Sequence, residues 1–420
     1  MYRYTLLVLS MGAAAAVNAE ALTFETALRI ATQSSPDIAV QTTNVAAARS
    51  ASTAAGRLPD PKLAVGIDNL PVTGADQWSL SRDFMTMRKV GVMQEVPNGA
   101  RREAQVAVAV AAVARAEAER RVSILTVRRD TAAAWLDRYY LEKRASLFDE
   151  LEHENDLFGQ AVQAQFAAGR GIPADIVLPK QEAAELADRR DELAAQIEKS
   201  RAALSRWVGA AASEPLAGEP PVLLLDADSL RGHVHEHPDL AVFVPMTQMA
   251  QAEVHAAEAT KRPDWGVELA YQRRGAAFSD MVSLEFTVAL PLFPHTRQDP
   301  QIAARREELA RVETQRESML RDHTRDLDAD LAEYTVLTRQ RARLQEVHLP
   351  LARDKVDYQF ASYRAGKVDL TAVLGARREL IDQRLKEIEL DAKRAVTIAK
   401  LYYFYGPGAS DPVAESLVSP

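Results

Sequence analysis

Four short stretches of the chain alternate apolar and polar residues with period two, the pattern of a strand with two different faces. In 281–290 one face is Val282, Leu284, Phe286, Val288 and Leu290; Ser283, Glu285, Thr287 and Ala289 make the other. In 264–272 Trp265, Val267, Leu269 and Tyr271 oppose Gly266, Glu268, Ala270 and Gln272. Leu63, Val65 and Ile67 alternate with Lys62, Ala64, Gly66 and Asp68, and Val90, Val92 and Val96 with Lys89, Gly91 and Glu95. Elsewhere the apolar spacing is helical. Ile381, Leu385, Ile388, Ala392, Ala395, Ala399 and Tyr402 recur in steps of four and three, a heptad seam. Helices are predicted over 24–57, 99–168, 172–208, 228–260, 298–365 and 369–404, and strands over 62–69, 87–96, 264–273 and 281–292. The helix over 99–168 would be roughly 105 Å long at 1.5 Å per residue, far longer than a globular core requires.

The order of elements is written twice. Ser35-Pro36-Asp37-Ile38-Ala39 is echoed by His237-Pro238-Asp239-Leu240-Ala241, and Arg57-Leu58-Pro59-Asp60 by Lys261-Arg262-Pro263-Asp264. Val96-Pro97 and Leu290-Pro291 each precede a long helix. Phe166-Ala167-Ala168-Gly169 matches Tyr363-Arg364-Ala365-Gly366, and Trp207-Val208-Gly209 matches Phe404-Tyr405-Gly406. The offset is roughly 200 residues each time, which marks an internal duplication. The domains expected are a first repeat over 20–209, a linker over 210–227, a second repeat over 228–406 and a flexible tail over 407–420.

Composition narrows the classes. Residues 1–19 read as a signal peptide: Arg3, an apolar run from Leu6 to Val17, and a small-residue cleavage site at Val17-Asn18-Ala19. A formal net charge of −8 argues against a nucleic-acid partner. The chain has no cysteine, which excludes disulfides, thiolate metal sites and a lipid anchor on an N-terminal cysteine. It carries no phosphate loop, dinucleotide fingerprint or hydrolase motif. It is therefore expected not to be an enzyme and to need no cofactor.

No segment after residue 19 is long enough for a membrane helix, so any membrane passage must use strands. A strand with one apolar and one polar face suits either a soluble core or a bilayer with a wet lumen. Four strands cannot close a barrel, and an open edge in lipid leaves backbone groups unpaired, so the membrane reading requires several copies. Lys89, Glu268, Glu285 and Thr287 would then line the lumen. The turns at Gly169-Arg170-Gly171 and Gly366-Lys367 lie a long helix away from the strands. Glycine suits the left-handed end of a helix, and Asp175 and Asp369 can start the next one. Gly169, Arg170, Asp175, Gly366, Lys367 and Asp369 are the candidate docking residues for a partner.

Two features invite metal. His233, His235 and His237 offer imidazoles, which suit zinc, copper or nickel; the alternative is a solvated helix start beside the linker. Met85, Met87 and Met93 offer soft thioethers, or are ordinary strand and loop residues.

As a set, the paired Pro-Asp starts, the proline before each long helix, and the tip turns Phe166–Gln181 and Tyr363–Arg377 resemble the TolC-like outer-membrane efflux factors. The resemblance spans about 22–406. It implies an α+β, mainly α fold: long antiparallel coiled-coil helices forming a periplasmic α-barrel, plus four strands per chain contributing to an oligomeric transmembrane β-barrel. It also implies a homotrimer in the outer membrane of a Gram-negative bacterium, a periplasmic adaptor protein and an inner-membrane RND pump. Ala372 and Gly375 stand where relatives carry aspartates that narrow the entrance, leaving Asp175 and Asp369 as the nearby acidic groups. Leu58-Pro59-Asp60-Pro61 and the run Phe84–Glu95 are similar to the heavy-metal (Cus/Czc-type) branch, which implies metal-cation cargo. Drug efflux, protein export and a periplasmic adaptor or stalk are the alternatives.

Overall fold

The structure, a computed structural model, describes residues 21–169 and 172–406. The expected signal peptide, Arg170 with Gly171, and the tail over 407–420 lie outside the described residues. No helix among the described residues is long and apolar enough to cross a membrane.

The described chain forms two compact units, and each draws on both sequence repeats. One holds residues 21–35, 127–225 and 331–404; the other holds 36–126, 226–330 and 405–406. The helices Gly99–Ala167 and Gln298–Arg343 each contribute their first part to the second unit and the remainder to the first.

The first unit is a set of long helices. Ile381 and Leu385, on the predicted seam of helix Leu370–Phe404, pack with Leu147, Phe148, Leu151, Leu186 and Leu193. Leu390, off that seam, packs with Leu337, Leu344 and Leu349. The helix is thus buried on two sides, so a single heptad stripe describes only part of its packing. Nearer the turns, Phe158 and Val162 pack with Leu370, Val373 and Leu374. Exposed ion pairs flank these contacts, such as Arg384 with Glu150 (2.5 Å) and Glu154 (3.1 Å). Such pairs are worth about 0–1 kcal/mol each, so the helices are held mainly by their apolar faces.

Sequence reasoning missed how the segment after the first repeat is anchored. Leu22–Thr23 pairs in parallel with Leu216–Ala217. The indole of fully buried Trp135 donates to the Leu22 carbonyl (3.1 Å). Arg138, 1% exposed, donates to the carbonyls of Ala212 (2.7 Å) and Glu214 (2.9 Å) and pairs with Glu142.

The second unit carries the sheet. Four antiparallel strands lie in sequence order: Lys62–Asp68, Met87–Val96, Trp265–Arg273 and Met281–Val288. The central pairing joins the halves, with Val96 opposite Trp265 and Arg88 opposite Arg273. The last strand ends at Val288, short of the expected 292; Pro291 has no amide hydrogen for a ladder.

Helix boundaries differ from expectation at three prolines. The helix expected over 24–57 is two, Phe24–Ser34 and Pro36–Ala54, with Ser35 extended between them. The helix expected over 228–260 is broken likewise: Ala227–His233, Pro238–Ala241 and Phe243–Ala259, with His237 extended. A proline disfavours helical geometry in the residue before it, so both repeats kink at the same motif. Pro350 follows a π-helical turn, Leu344–His348, within the helix expected over 298–365.

Candidate functional site

The sheet has two faces of opposite character. Leu63, Val65, Ile67, Val90, Val92, Trp265, Leu269, Tyr271, Val282, Leu284, Phe286 and Val288 share one face, and every one is exposed. The register aligns them in rows across the strands, such as Leu63, Val92, Leu269 and Leu284. Burying a large apolar side chain is worth about 1.5–3 kcal/mol. Covering this face is therefore worth more than the roughly 5–15 kcal/mol that holds a typical domain folded. Arg88 and Arg273 sit opposite one another at one end of the same face.

The other face is polar and built from small residues. Lys89, Glu268, Glu285 and Thr287, the expected lumen residues, all lie on it. Lys89 pairs with Glu268, and Glu285 is directly opposite Glu268. Lys62 pairs with Glu95 (2.5 Å). Glycine is required at two positions here. A Cβ on Gly91 would stand 2.8 Å from the Ala270 Cβ, and one on Gly266 2.8 Å from the Thr287 hydroxyl. Both outer strands present a free edge within the single chain.

A polar knot ties the sheet to the long helix. Asp264 accepts from the Asn98 amide (2.8 Å), the Asn98 side chain (2.9 Å) and the Arg101 guanidinium (2.9 Å). Partial burial pushes the Asp264 carboxyl up, but these donors outweigh it and hold it below the usual carboxylate range. The Pro-Asp repeat marked this position without revealing its partners.

At the helix-hairpin turns, Gly169 and Gly366 have φ of +73° and +70°, the left-handed conformation expected of them. Their amides donate to Phe166 and Tyr363 carbonyls, both at 2.9 Å, so the two turns share one design. Asp369 starts helix Leu370–Phe404 by accepting from the Thr371 hydroxyl (2.5 Å) and Ala372 amide (3.2 Å), which hold its carboxyl low. Asp175 is buried in the short turn Pro173–Ile176, accepts from the Ile172 amide (3.2 Å) and lies 3.5 Å from the Tyr363 hydroxyl. Its carboxylate joins the two hairpin ends of this unit. Lys367 donates its amide to Ser362.

The three histidines do not come together. His233 and His235 are exposed, whereas His237 is 4% exposed. His237 meets Asp239 and His323 instead, with ligand atoms all within 4.8 Å of one another; this is the one such group of three among the described residues. His323 lies on helix Gln298–Arg343, too far along the chain for any spacing rule to connect it. Met87 and Met93 lie on the polar face of the sheet and Met85 in the adjoining loop, so they form no single cluster by register.

Residues 234–406 match the outer membrane efflux protein family. No curated protein matches the sequence. Solved structures share the fold across nearly the whole chain. CusC, a protein that forms a transmembrane channel, aligns with a TM-score of 0.75 at 15% identity, over 91% of this chain and 92% of that one. VceC of Vibrio cholerae aligns at 0.74 and 18%, over 91% and 96%. The CmeC outer membrane channel of Campylobacter jejuni aligns at 0.76 and 11%, over 94% and 88%. The fold is therefore the TolC-like one, mostly helical with a small antiparallel sheet. The matched family is one of outer membrane efflux proteins, the CusC structures concern transmembrane channel formation, and CmeC is an outer membrane channel. Likeness to CusC is no greater than to the other two, so the fold does not single out the heavy-metal branch.

Proposed function

We propose that this chain is one subunit of a homotrimeric outer-membrane efflux channel. It provides a passive duct from periplasm to exterior, working with a periplasmic adaptor and an inner-membrane RND pump. The exposed apolar face supports this reading most strongly, since lipid is the partner that covers such a face around a closed barrel. Lys89, Glu268, Glu285 and Thr287 then line the wet lumen, and the turns at Gly169 and Gly366 form the periplasmic tip to which the adaptor docks. The duct opens when docking displaces the tip helices; the chain has no nucleotide-binding motif, so the energy comes from the pump. The resemblance of Leu58–Pro61 and Phe84–Glu95 to the heavy-metal branch favours metal cations as cargo.

The duplication supplies a specific expectation for assembly. Val96 lies opposite Trp265 within the chain. By the repeat, Val96 corresponds to Leu290, and Trp265 to Pro61. Carrying the pairing over puts Leu63 of one copy opposite Val288 of the next, and Val65 opposite Phe286. The apolar residues then continue on one face around the ring.

The native chain lacks cysteine, which makes the test direct. Under mild oxidation in outer-membrane fractions, the Leu63→Cys/Val288→Cys double variant is expected to give a disulfide-linked ladder ending at trimer. Paired Cα atoms across strands fall within the roughly 4.4–6.8 Å a disulfide spans. Leu63→Cys/Leu284→Cys, out of register, should remain monomeric. A ladder from the second pair and none from the first would reject the proposed assembly. Cargo is tested separately: a strain lacking the gene is compared on copper, silver, zinc, cadmium and cobalt salts and on dyes and detergents. Sensitivity to dyes and detergents without metals would reject metal cargo while leaving the channel.

A further inference from the structure

We propose that His237, Asp239 and His323 hold one divalent transition-metal ion of the zinc, cobalt or nickel class inside the folded subunit. The proposal concerns a resident ion and does not depend on what the channel conducts.

Two imidazoles and one carboxylate are a donor set these ions favour. The spacing is already close to what they need. Zinc-class bonds of about 2.0–2.1 Å in tetrahedral geometry put ligand atoms roughly 3.3 Å apart. The His323 Nε2 lies 3.2 Å from the Asp239 carboxylate; the His237 Nδ1 accepts from the Asp239 amide, which leaves its Nε2 to bind the ion, and the ligand atoms of the three residues all lie within 4.8 Å of one another. The two imidazole rings are 4.3 Å apart, centre to centre. Both histidines are buried, at 4% and 6% exposure, so they are shielded from bulk water.

The ring nitrogens are oriented for this role. The His323 Nδ1 lies 3.3 Å from the Tyr405 hydroxyl. In the tautomer whose Nδ1 donates to that hydroxyl, the Nε2 lone pair is left to bind the ion beside the Asp239 carboxylate. An outer hydrogen bond that fixes the tautomer is the usual companion of a metal-bound histidine, and Tyr405 would act as that positioning residue.

The duplication shows that the fold does not require histidine here. His237 accepts from the Asp239 amide (3.2 Å) and so starts the helix after the proline. Serine, threonine, aspartate and asparagine ordinarily do this. At the repeat-related position the first half has Ser35, buried before Pro36, with Asp37 where the second half has Asp239.

The test uses the full chain purified in detergent, stripped with a chelator and titrated with Co(II). We expect one Co(II) per chain with the visible absorption of a low-coordinate site, displaced by Zn(II), and a raised thermal midpoint with either metal. Asp239→Asn and His323→Gln should each abolish the signal with unchanged far-ultraviolet dichroism. Tyr405→Phe should weaken affinity by about tenfold. The double variant His233→Ala/His235→Ala should bind as the parent does. The proposal is overturned if the parent retains no stoichiometric Co(II) or Zn(II). It is equally overturned if both Asp239→Asn and His323→Gln bind like the parent, or if only the exposed His233 and His235 matter. Should one variant fail to fold, the other and the parent stoichiometry still decide.

Discussion

At the residue scale, the first unit rests on a few buried polar groups whose partners decide the sign of a substitution. Arg138 is costly to remove, because its loss leaves the Ala212 and Glu214 carbonyls buried without their donor. Arg138→Met is expected to destabilise this unit by about 3 kcal/mol, read as a lower midpoint in thermal unfolding followed by circular dichroism. Glu182 behaves oppositely. It is 2% exposed, and neither carboxylate oxygen has a hydrogen-bond partner among the described residues. Burial raises its pKa, against the pull of Arg377 and Arg378. Its folded pKa is above the unfolded value, so its contribution to stability is complete below about pH 4.3 and is lost as pH rises through the folded value. Glu182→Gln should therefore raise the midpoint at pH 8 and change it little at pH 4. An unchanged midpoint at both pH values would mean the carboxylate is not desolvated.

At the element scale, glycines with different backbones should respond in opposite directions. Gly169 and Gly366 end their helices with positive φ, where a side chain costs about 1–2 kcal/mol. Gly375 lies within helix Leu370–Phe404 with nothing near an added Cβ, where alanine should gain about 0.5–1 kcal/mol. Gly366→Val is expected to lower the thermal midpoint and Gly375→Ala to raise it. A Gly366→Val protein as stable as the parent would contradict the left-handed turn. In the sheet, Gly91→Val should block strand pairing, since its first added atom would meet the Ala270 Cβ. The expected readout is loss of heat-resistant oligomer on gels, while Gly232→Ala, in helix Ala227–His233 with nothing near an added Cβ, leaves the oligomer in place.

At the scale of the whole molecule, the two faces of the sheet predict different consequences of charge. Phe286 and Glu285 are adjacent in sequence but face opposite ways. Arginine facing lipid at the bilayer midplane costs about 2–4 kcal/mol, and that penalty recurs in every copy of an oligomer. Phe286→Arg should deplete the protein from outer-membrane fractions. Glu285→Gln should assemble normally and reduce cation preference in planar-bilayer recordings, because it removes one negative charge per subunit from the lumen. Equal depletion by both substitutions would argue against a sheet with one lipid face and one wet face.

Local periodicity was enough to locate the four strands, the long helices and both left-handed glycines, because each depends on neighbours a few residues away; the proline kinks at Ser35 and His237 broke helices that periodicity alone left continuous. The polar strand face was legible for the same reason: alternation assigns Lys89, Glu268, Glu285 and Thr287 to one side wherever the strand pairs. Only the tertiary structure decided what those faces meet. It put strand Met87–Val96 beside Trp265–Arg273, anchored Leu22 beside Leu216, and wove the two repeats through two compact units. It also dissolved the histidine triplet, leaving His233 and His235 in solvent and bringing His237 to His323. Periodicity states which side of an element must be covered, whereas the covering partner is chosen by long-range packing, which leaves no fixed spacing in the sequence.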